Sequence, residues 1–199
     1  PRSSSAASDV YKRQTLPQGK FIGNEIKFPQ VSVGATECAI MAATLAIGKT
    51  KIYNAAQEPE IVDLGNCLNL AGANIKGLGT DIIEIEGVSK LNPITYSVIP
   101  DRIEAGSFAI IAGITKGELN LLNSNPKDLK AFFKKLKQTN VKVEVYNDTV
   151  KIKGVNEIVP VNIQTEPHPG FPTDLQAQFM SLMCIATVSY THLTLPTKN

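Results

Sequence analysis

The order of apolar and polar positions predicts alternating helices and strands in a first stretch of the chain. An Ala-rich apolar segment predicts a helix, and Gly48 ends it because glycine adopts the conformation that follows a helix. Pro59 begins a second helix, since proline is tolerated at the first helical position. The predicted elements are a helix over about 36–47, a strand over about 50–54, the helix from Pro59, and strands over about 73–76 and 81–86.

A second stretch shows the same order. Leu129, Phe132, Phe133 and Leu136 follow Pro126 at helical spacing, so they predict an amphipathic helix. Val and Ile then alternate with Lys and Glu on both sides of an Asn-Asp pair, which predicts a β-hairpin. The predicted elements are a helix over about 103–115, a strand over about 118–122, the helix from Pro126, and two strands over about 141–145 and 150–153.

These two stretches predict a structural repeat. Gly117 follows Gly48 by 69 positions, and Gly154 follows Gly87 by 67, so the period is about 68 residues. A strand before each first helix would make each unit βαβαββ. One such unit cannot cover its own apolar face, so further copies are expected. The breaker-rich stretch 89–100 predicts a linker between the units.

Composition limits the class of protein. The chain has 199 residues, of which 43% are hydrophobic and 19% charged, enough for one domain or two small ones and too apolar for disorder. No apolar run reaches the roughly 18 residues of a membrane helix. Cys38, Cys67 and Cys184 lack metal-ligand spacing, and we expect reduced thiols in the core.

Both ends of the chain look foreign to the protein. A DNA string that encodes residues 9–14 has a reverse complement that encodes residues 188–192 in another frame, and it resembles a transposon end used for sequencing libraries. We therefore expect 1–14 and 187–199 to be adaptor-derived tails, and the rest to be an internal part of a longer chain. Without the tails the formal charge of +2 falls to about −1, which removes the argument for nucleic-acid binding.

Several motifs favour a structural role. The Gly77-Leu78-Gly79 segment lies between two predicted strands, so it indicates a turn and not a dinucleotide fingerprint. A lysine-rich helix favours a solvated face over an anion site; its lysines are Lys127, Lys130, Lys134, Lys135 and Lys137.

Two segments are candidates for chemistry. Residues 30–36 place small side chains at a helix start, where free N–H groups favour a phosphate; a plain Ser or Thr cap is the alternative. Asp174 follows a proline-rich loop and could act as a general base; here too a helix cap, by Thr173 or Asp174, is the alternative.

The chain resembles the UDP-N-acetylglucosamine enolpyruvyl transferases, within the enolpyruvyl transferase (EPSP synthase-like) superfamily. The resemblance covers most of the chain between the tails and rests on VSVGATE (31–37), NAAQEPEIVDL (54–64), GTD (79–81), IEGV (85–88), PDRIE (100–104) and FPTDLQAQF (171–179). It implies an α/β fold, an inside-out α/β barrel of two domains with three βαβαββ units each. Residues 15–98 would end the first domain and 99–186 would begin the second.

The resemblance also implies an activity. The family transfers the enolpyruvyl group of phosphoenolpyruvate to the 3-hydroxyl of UDP-N-acetylglucosamine and releases phosphate. This is the first committed step of peptidoglycan synthesis, on which cell-wall biogenesis, cell shape and cell division depend. A cytoplasmic, monomeric parent enzyme is expected, with no metal or organic cofactor and no nucleic-acid or membrane partner. The alternatives are a 3-phosphoshikimate 1-carboxyvinyltransferase and a non-catalytic repeat protein.

The implied site residues lie in the two candidate segments. Asp174 matches the aspartate that takes the proton of the sugar hydroxyl. Gln30 stands where family members often have Lys, which puts a charge contact to the diphosphate in doubt. The catalytic cysteine loop and the phosphoenolpyruvate-binding Lys and Arg residues match nothing in this chain. The segment that matches the uridine diphosphate site is Gln30, Val31, Ser32, Val33 and Gly34.

Overall fold

A computed structural model describes residues 20–187. Within this range the chain divides into two compact units. The first unit holds the residues up to Ala56 together with Glu60–Tyr96, and the second holds Gln57–Pro59 and the chain from Ser97 onward.

The first unit is an open sheet of four strands with two helices. In chain order its elements are β1 (Glu25–Lys27), α1 (Val33–Thr44), β2 (Lys49–Tyr53), α2 (Pro59–Leu70), β3 (Asn74–Lys76) and β4 (Ile82–Glu86). The strand order is β1-β2-β4-β3, with β1 and β2 parallel and the other pairs antiparallel. Alternate residues of β2 and β4 point into the core, where Ile52, Ile83 and Ile85 meet Ile40 of α1.

The second unit has a three-stranded antiparallel sheet. Its elements are α3 (Arg102–Thr115), β5 (Glu118–Leu121), a 3₁₀ turn (Pro126–Leu129) that continues into α4 (Lys130–Gln138), β6 (Lys142–Tyr146), β7 (Thr149–Lys153), a 3₁₀ turn (Thr173–Leu175) and α5 (Gln176–Met183). The strand order is β5-β7-β6. Phe132, Phe171 and Phe179 form the centre of its core, with ring centroids 5.5–6.4 Å apart.

The outer face of each sheet is charged. Lys49 and Lys51 of β2 lie opposite Glu86 and Glu84 of β4, with Nζ to carboxylate oxygen distances of 3.3 and 2.9 Å. The hydrogen bond to Glu84 raises the pKa of Lys51 above its ordinary value. Because these side chains are exposed to solvent, each pair contributes little to stability. The alternation of apolar and charged positions therefore fixes which face of the sheet is buried.

The α/β class and the order of elements agree with the sequence prediction, with changes at the ends of elements. The first helix was predicted to begin near residue 36, but α1 begins at Val33 because Ser32 caps it. Its end at Thr44 also precedes the predicted end. The turn at Gly77-Leu78-Gly79 is confirmed, and both glycines have φ near +77°. Residues 20–187 form two open sheets and no closed barrel.

The glycines that marked the repeat occupy the same position in both units. The Gly87 N–H donates to the Gly48 C=O at 2.9 Å, and the Gly154 N–H donates to the Gly117 C=O at 2.8 Å. A Cβ on Gly87 would overlap the carbonyl of Ala46, and one on Gly154 would overlap the backbone near Lys116. The end of the last strand of each unit is thus joined, through backbone atoms, to the residue before the strand that follows its first helix.

The strand expected before each first helix is found in the first unit alone. There, β1 precedes α1 and pairs with β2. In the second unit the prediction is wrong for the described residues, since 89–101 contain neither strand nor helix. Pro93 and Pro100 cannot donate to a sheet, and residues in this stretch bond to α2 and its end instead.

The cysteine prediction was wrong in its placement. Cys38 and Cys184 are exposed and Cys67 is half-buried, although all three are free thiols. Cys38 lies on α1 away from the face that buries Ile40 and Ala43. An Ala-rich helix has weak amphipathicity, so its sequence did not show which side faces the core. In α4 the lysine face is solvated as predicted, apart from Lys135, whose Nζ donates to the Asn162 C=O at 2.7 Å.

The predicted tails lie outside the described residues, except for Thr187. Its N–H and hydroxyl both donate to the Ile158 C=O, so the described structure continues one residue into the second predicted tail. No helix in residues 20–187 is both long and apolar enough to cross a bilayer.

Candidate functional site

The first candidate segment is the start of α1, as predicted. Ser32 has an extended backbone, and its Oγ accepts a hydrogen bond from the Ala35 N–H at 3.3 Å. Gln30, Val31, Ser32 and Gly34 are exposed, and Val33 is half-buried. The predicted cap is therefore present. It occupies only one of the free N–H groups of the first turn, so others remain for a ligand.

Two residues that sequence reasoning did not single out hold this helix start in place. Thr36 is fully buried; its Oγ1 donates to the Ser32 C=O at 2.7 Å and accepts from the Ala56 N–H at 3.0 Å. Asn54 has φ of 60°, and its Nδ2 donates to the Phe28 C=O at 3.1 Å. The sequence shows a threonine four positions after the cap residue and an asparagine at the end of a predicted strand, but the burial of Thr36 and the partner of Asn54 follow only from the fold.

The first turn of α1 presents two open hydrogen-bond donors. The N–H groups of Val33 and Gly34 have no acceptor within residues 20–187. A Cβ on Gly34 would meet no atom within 4 Å, so a ligand could approach this backbone closely. The first turn has no acidic residue that would oppose an anion. This geometry suits a phosphate group.

A groove of about 530 Å³ lies beside the chain that leads into this helix. Lys27 is exposed on one side of it, and Asp81 lies on another. Asn54 borders the groove and braces Phe28. Its lining residues are Lys27, Phe28, Pro29, Tyr53, Asn54, Asp81 and Ile82.

The second candidate, Asp174, lies on an ordered turn in the second unit. Before it, the Glu166 N–H donates to the Phe171 C=O at 3.0 Å, which closes the proline-rich loop. Phe171 is buried on one side of Asp174 and Leu175 on the other, and Asp174 itself is exposed. The turn is fixed by its neighbours, while the carboxylate faces solvent.

The alternative that Thr173 or Asp174 caps the following helix is wrong. The 3₁₀ turn begins after Pro172 and α5 after Leu175, and neither start has a side-chain cap. The chain enters the helix through a 3₁₀ turn, which displaces the cap position onto Leu175, an apolar residue with no cap acceptor. The Asp174 carboxylate therefore makes no cap hydrogen bond to either helix start.

Contacts with α3 position the Asp174 turn. A Cβ on Gly106 would collide with the buried side chain of Leu175, so glycine is what lets the turn lie against α3. The Gln178 Nε2 donates to the Ser107 Oγ at 3.1 Å. Neither contact had a signal in the sequence, because each joins residues about 70 positions apart.

Glu58 is a further buried group beside the proline-rich loop. It is 7% exposed, and its Oε1 accepts from the His168 N–H at 3.3 Å. Its Oε2 has no partner in the described chain. In the sequence, Glu58 belongs to the motif of residues 54–64, and no local pattern indicates a role for it.

The structure thus gathers the predicted residues into two places. Gln30 to Gly34 lie together at the α1 start in the first unit, and Asp174 belongs to the second unit. Residues 20–187 contain no group of three or more His, Cys, Asp or Glu side chains placed to hold a metal ion.

The described residues thus form two units of similar α-β plan, which define a repeat-built α/β protein. The chain belongs to the EPSP synthase family (3-phosphoshikimate 1-carboxyvinyltransferase), whose model matches residues 9–191.

Curated relatives resemble the chain over most of its length. UDP-N-acetylglucosamine 1-carboxyvinyltransferase of Orientia tsutsugamushi is 54% identical over 165 residues, which are 82% of this chain and 39% of the relative. The enzyme of the same name from Novosphingobium aromaticivorans is 48% identical over 176 residues, 88% of this chain and 41% of the relative. The chain therefore spans about two fifths of the length of these relatives.

Solved structures share the fold. The enolpyruvyl transferase NikO from Streptomyces tendae matches with a TM-score of 0.67 at 24% identity, over 77% of this chain and 37% of that one. EPSP synthase from Acinetobacter baumannii matches with a TM-score of 0.55 at 22% identity, over 82% of this chain and 38% of that one.

Proposed function

We propose that the protein to which this chain belongs transfers the enolpyruvyl group of phosphoenolpyruvate to the 3-hydroxyl of UDP-N-acetylglucosamine and releases phosphate. The observation that carries the proposal is 54% identity over 165 residues to a relative named for this activity. The 3-phosphoshikimate reaction is the second candidate, favoured by the description of the family model. Relatives at about 50% identity with the first name make the first candidate stronger.

In this proposal the α1 start binds the diphosphate of the nucleotide. The open N–H groups of Val33 and Gly34 would donate to phosphate oxygens, with Gln30 and Val31 flanking them. Gln30 offers an amide where a lysine would offer a charge. The backbone donors and the helix dipole would then supply most of the attraction for the anion.

Asp174 is the proposed general base. The sugar 3-hydroxyl must lose a proton as its oxygen attacks C2 of phosphoenolpyruvate, and a carboxylate on a fixed turn can accept it. The absence of a cap hydrogen bond leaves both oxygens of Asp174 available for this role. As the new C2–oxygen bond forms, C3 of phosphoenolpyruvate takes a proton from an acid outside this chain. When the tetrahedral adduct collapses, phosphate leaves C2 and C3 loses a proton, which restores the double bond.

We also propose how the chain lies within the whole protein. Residues 15–98 end the first domain and 99–186 begin the second, supported by the division of the structure between Tyr96 and Ser97. The whole enzyme would be a cytoplasmic monomer of peptidoglycan synthesis. It would need no metal or organic cofactor, and it would have no nucleic-acid or membrane partner.

The nucleotide part of the proposal can be tested on the 199-residue chain by calorimetric titration. We expect UDP-N-acetylglucosamine and UDP to bind, and uridine and 3-phosphoshikimate to bind at least 10-fold more weakly. Gly34→Val should weaken UDP binding, because its side chain would occupy the open approach to the donors. A matched control is Gly117→Ala in the second unit. Tighter binding of 3-phosphoshikimate than of UDP would favour the second candidate.

A further inference from the structure

The linker between the two units is held against α2 for half of its length. Residues 89–100 have no secondary structure, and most of their side chains are exposed; Leu91 and Tyr96 are half-buried. The Asn92 N–H donates to the Ala71 C=O at 2.8 Å, just beyond the end of α2. The Tyr96 hydroxyl donates to Oδ1 of Asp63 at 2.7 Å and lies 3.2 Å from the Asp63 C=O.

The two attachment points match the length of an extended chain. Asp63 and Ala71 are eight positions apart on a helical path, or about 12 Å at 1.5 Å per residue. The four steps from Asn92 to Tyr96 span about 13 Å when extended. The segment 92–96 therefore runs antiparallel to α2 as a strap, with a hydrogen bond near each end.

The chain is fixed again a few residues later. Asp101 caps α3, and its Oδ1 accepts from the N–H groups of Ile103 at 2.7 Å and Glu104 at 3.0 Å. Ser97–Pro100 lie between these anchors, and Val98 is 78% exposed. Pro100 fixes its own φ and restricts Ile99 before it. Free backbone rotation is thus concentrated at Ser97 and Val98.

We propose that the Tyr96–Asp63 hydrogen bond holds residues 92–96, the strap, against α2. It thereby confines the flexible part of the linker, the hinge, to Ser97–Pro100. The strap is independent of the proposed chemistry, since none of its residues belongs to the candidate site. Its consequence is the length of the flexible segment. With the strap closed, the hinge is Ser97–Pro100 and its free rotation lies mainly at Ser97 and Val98; with the strap open, the hinge lengthens towards Asn92.

The ionisation of Tyr96 is consistent with a closed strap. The hydrogen bond to Asp63 raises the pKa of Tyr96 to about 12, with smaller contributions from burial and from the negative charge of Asp63. A raised tyrosine pKa means that the neutral phenol is favoured in the folded state. The strap is therefore fully present below about pH 10 and is lost as the pH rises through about 12.

The test is backbone ¹⁵N relaxation of the 199-residue chain. In the wild type we expect the heteronuclear NOE of Ile94 and Thr95 to equal that of α2, and that of Val98 to be clearly lower. Tyr96→Phe should lower the Ile94 and Thr95 values to that of Val98. Asp63→Ala keeps the backbone C=O of residue 63 as an acceptor at 3.2 Å, so it should lower them part of the way.

Tyr146→Phe is the matched control, because the Tyr146 hydroxyl donates to Glu144 on the same strand and touches no linker residue. It should leave the NOE values of the linker unchanged. Equal mobility of Thr95 and Val98 in the wild type would overturn the proposal without any variant. Unchanged values in Tyr96→Phe would overturn it as well.

Discussion

Alanine at the repeated glycines Gly87 and Gly154 should destabilise the unit that contains it. At Gly87 the new Cβ would lie 2.8 Å from the Ala46 carbonyl carbon, and at Gly154 it would lie 2.9 Å from the Lys116 carbonyl carbon. Ordinary contacts begin near 3.4 Å, and the carbonyl oxygens of Ala46 and Ala112 would lie nearer still, so the backbone must move by well over half an ångström. Backbone cannot move aside as a flexible side chain can.

The expected loss follows from two opposing effects. Overpacking of this kind costs about 1–3 kcal/mol. Alanine also reduces the entropy of the unfolded chain, which returns about 0.4–1 kcal/mol where its backbone conformation is allowed. The difference is about 0–2.6 kcal/mol, and because the overlap with backbone is deep, we expect each variant to lose about 1–2.6 kcal/mol of unfolding free energy.

Urea unfolding followed by far-UV circular dichroism measures this loss. Gly34→Ala is the matched control, because its Cβ would meet no atom within 4 Å and alanine favours a helix. It should be neutral or stabilising by up to about 1 kcal/mol. If Gly87→Ala and Gly154→Ala both lose less than about 0.5 kcal/mol, below the overpacking range, the close backbone junctions are not present.

Three further predictions concern the candidate site, the acid response and turnover. Ser32→Ala should cost about 0.5–2 kcal/mol by removing the α1 cap, and calorimetry should show weaker UDP binding; unchanged affinity would count against the site. The pKa of Glu118 is lowered by hydrogen bonds from Lys151 and Lys153, so its contribution is present at neutral pH and is lost as the pH falls through the lowered pKa. Glu118→Gln should therefore unfold at lower urea than wild type at pH 7 and at the same urea at pH 2; a difference that persists in acid would exclude this pair as its cause. The 199-residue chain should release no phosphate from UDP-N-acetylglucosamine and phosphoenolpyruvate, because it has no match to the catalytic cysteine loop, and turnover that disappears in Asp174→Ala would refute this.

The sequence predicted most of the elements because their signals are local. Phe132, Phe133 and Leu136 are all buried at the helical spacing that predicted α4. The alternation of apolar and charged residues in β6 and β7 predicted the hairpin, and Asn147 adopts the left-handed conformation in its turn. Each of these predictions depends only on residues that are close together in the sequence.

Other features depended on contacts that no local pattern contains. The exposure of Cys38 depends on which side of α1 meets the sheet, and an Ala-rich helix does not indicate that side. The missing strand before α3 depends on Tyr96 bonding to α2 instead of the chain pairing with β5. At the candidate site, the helix start was predictable from Ser32, but the support from Thr36 and Asn54 needed the fold.

The glycine junctions have a consequence for how such a protein can change over time. Because the Gly87–Gly48 and Gly154–Gly117 links use backbone atoms alone, the side chains around them can drift without altering the join. After a gene duplication, the sequences of the two copies can therefore diverge until the spacing of the glycines is the main remaining sign of their common origin. A search for further copies should weigh these glycines above the apolar residues between them.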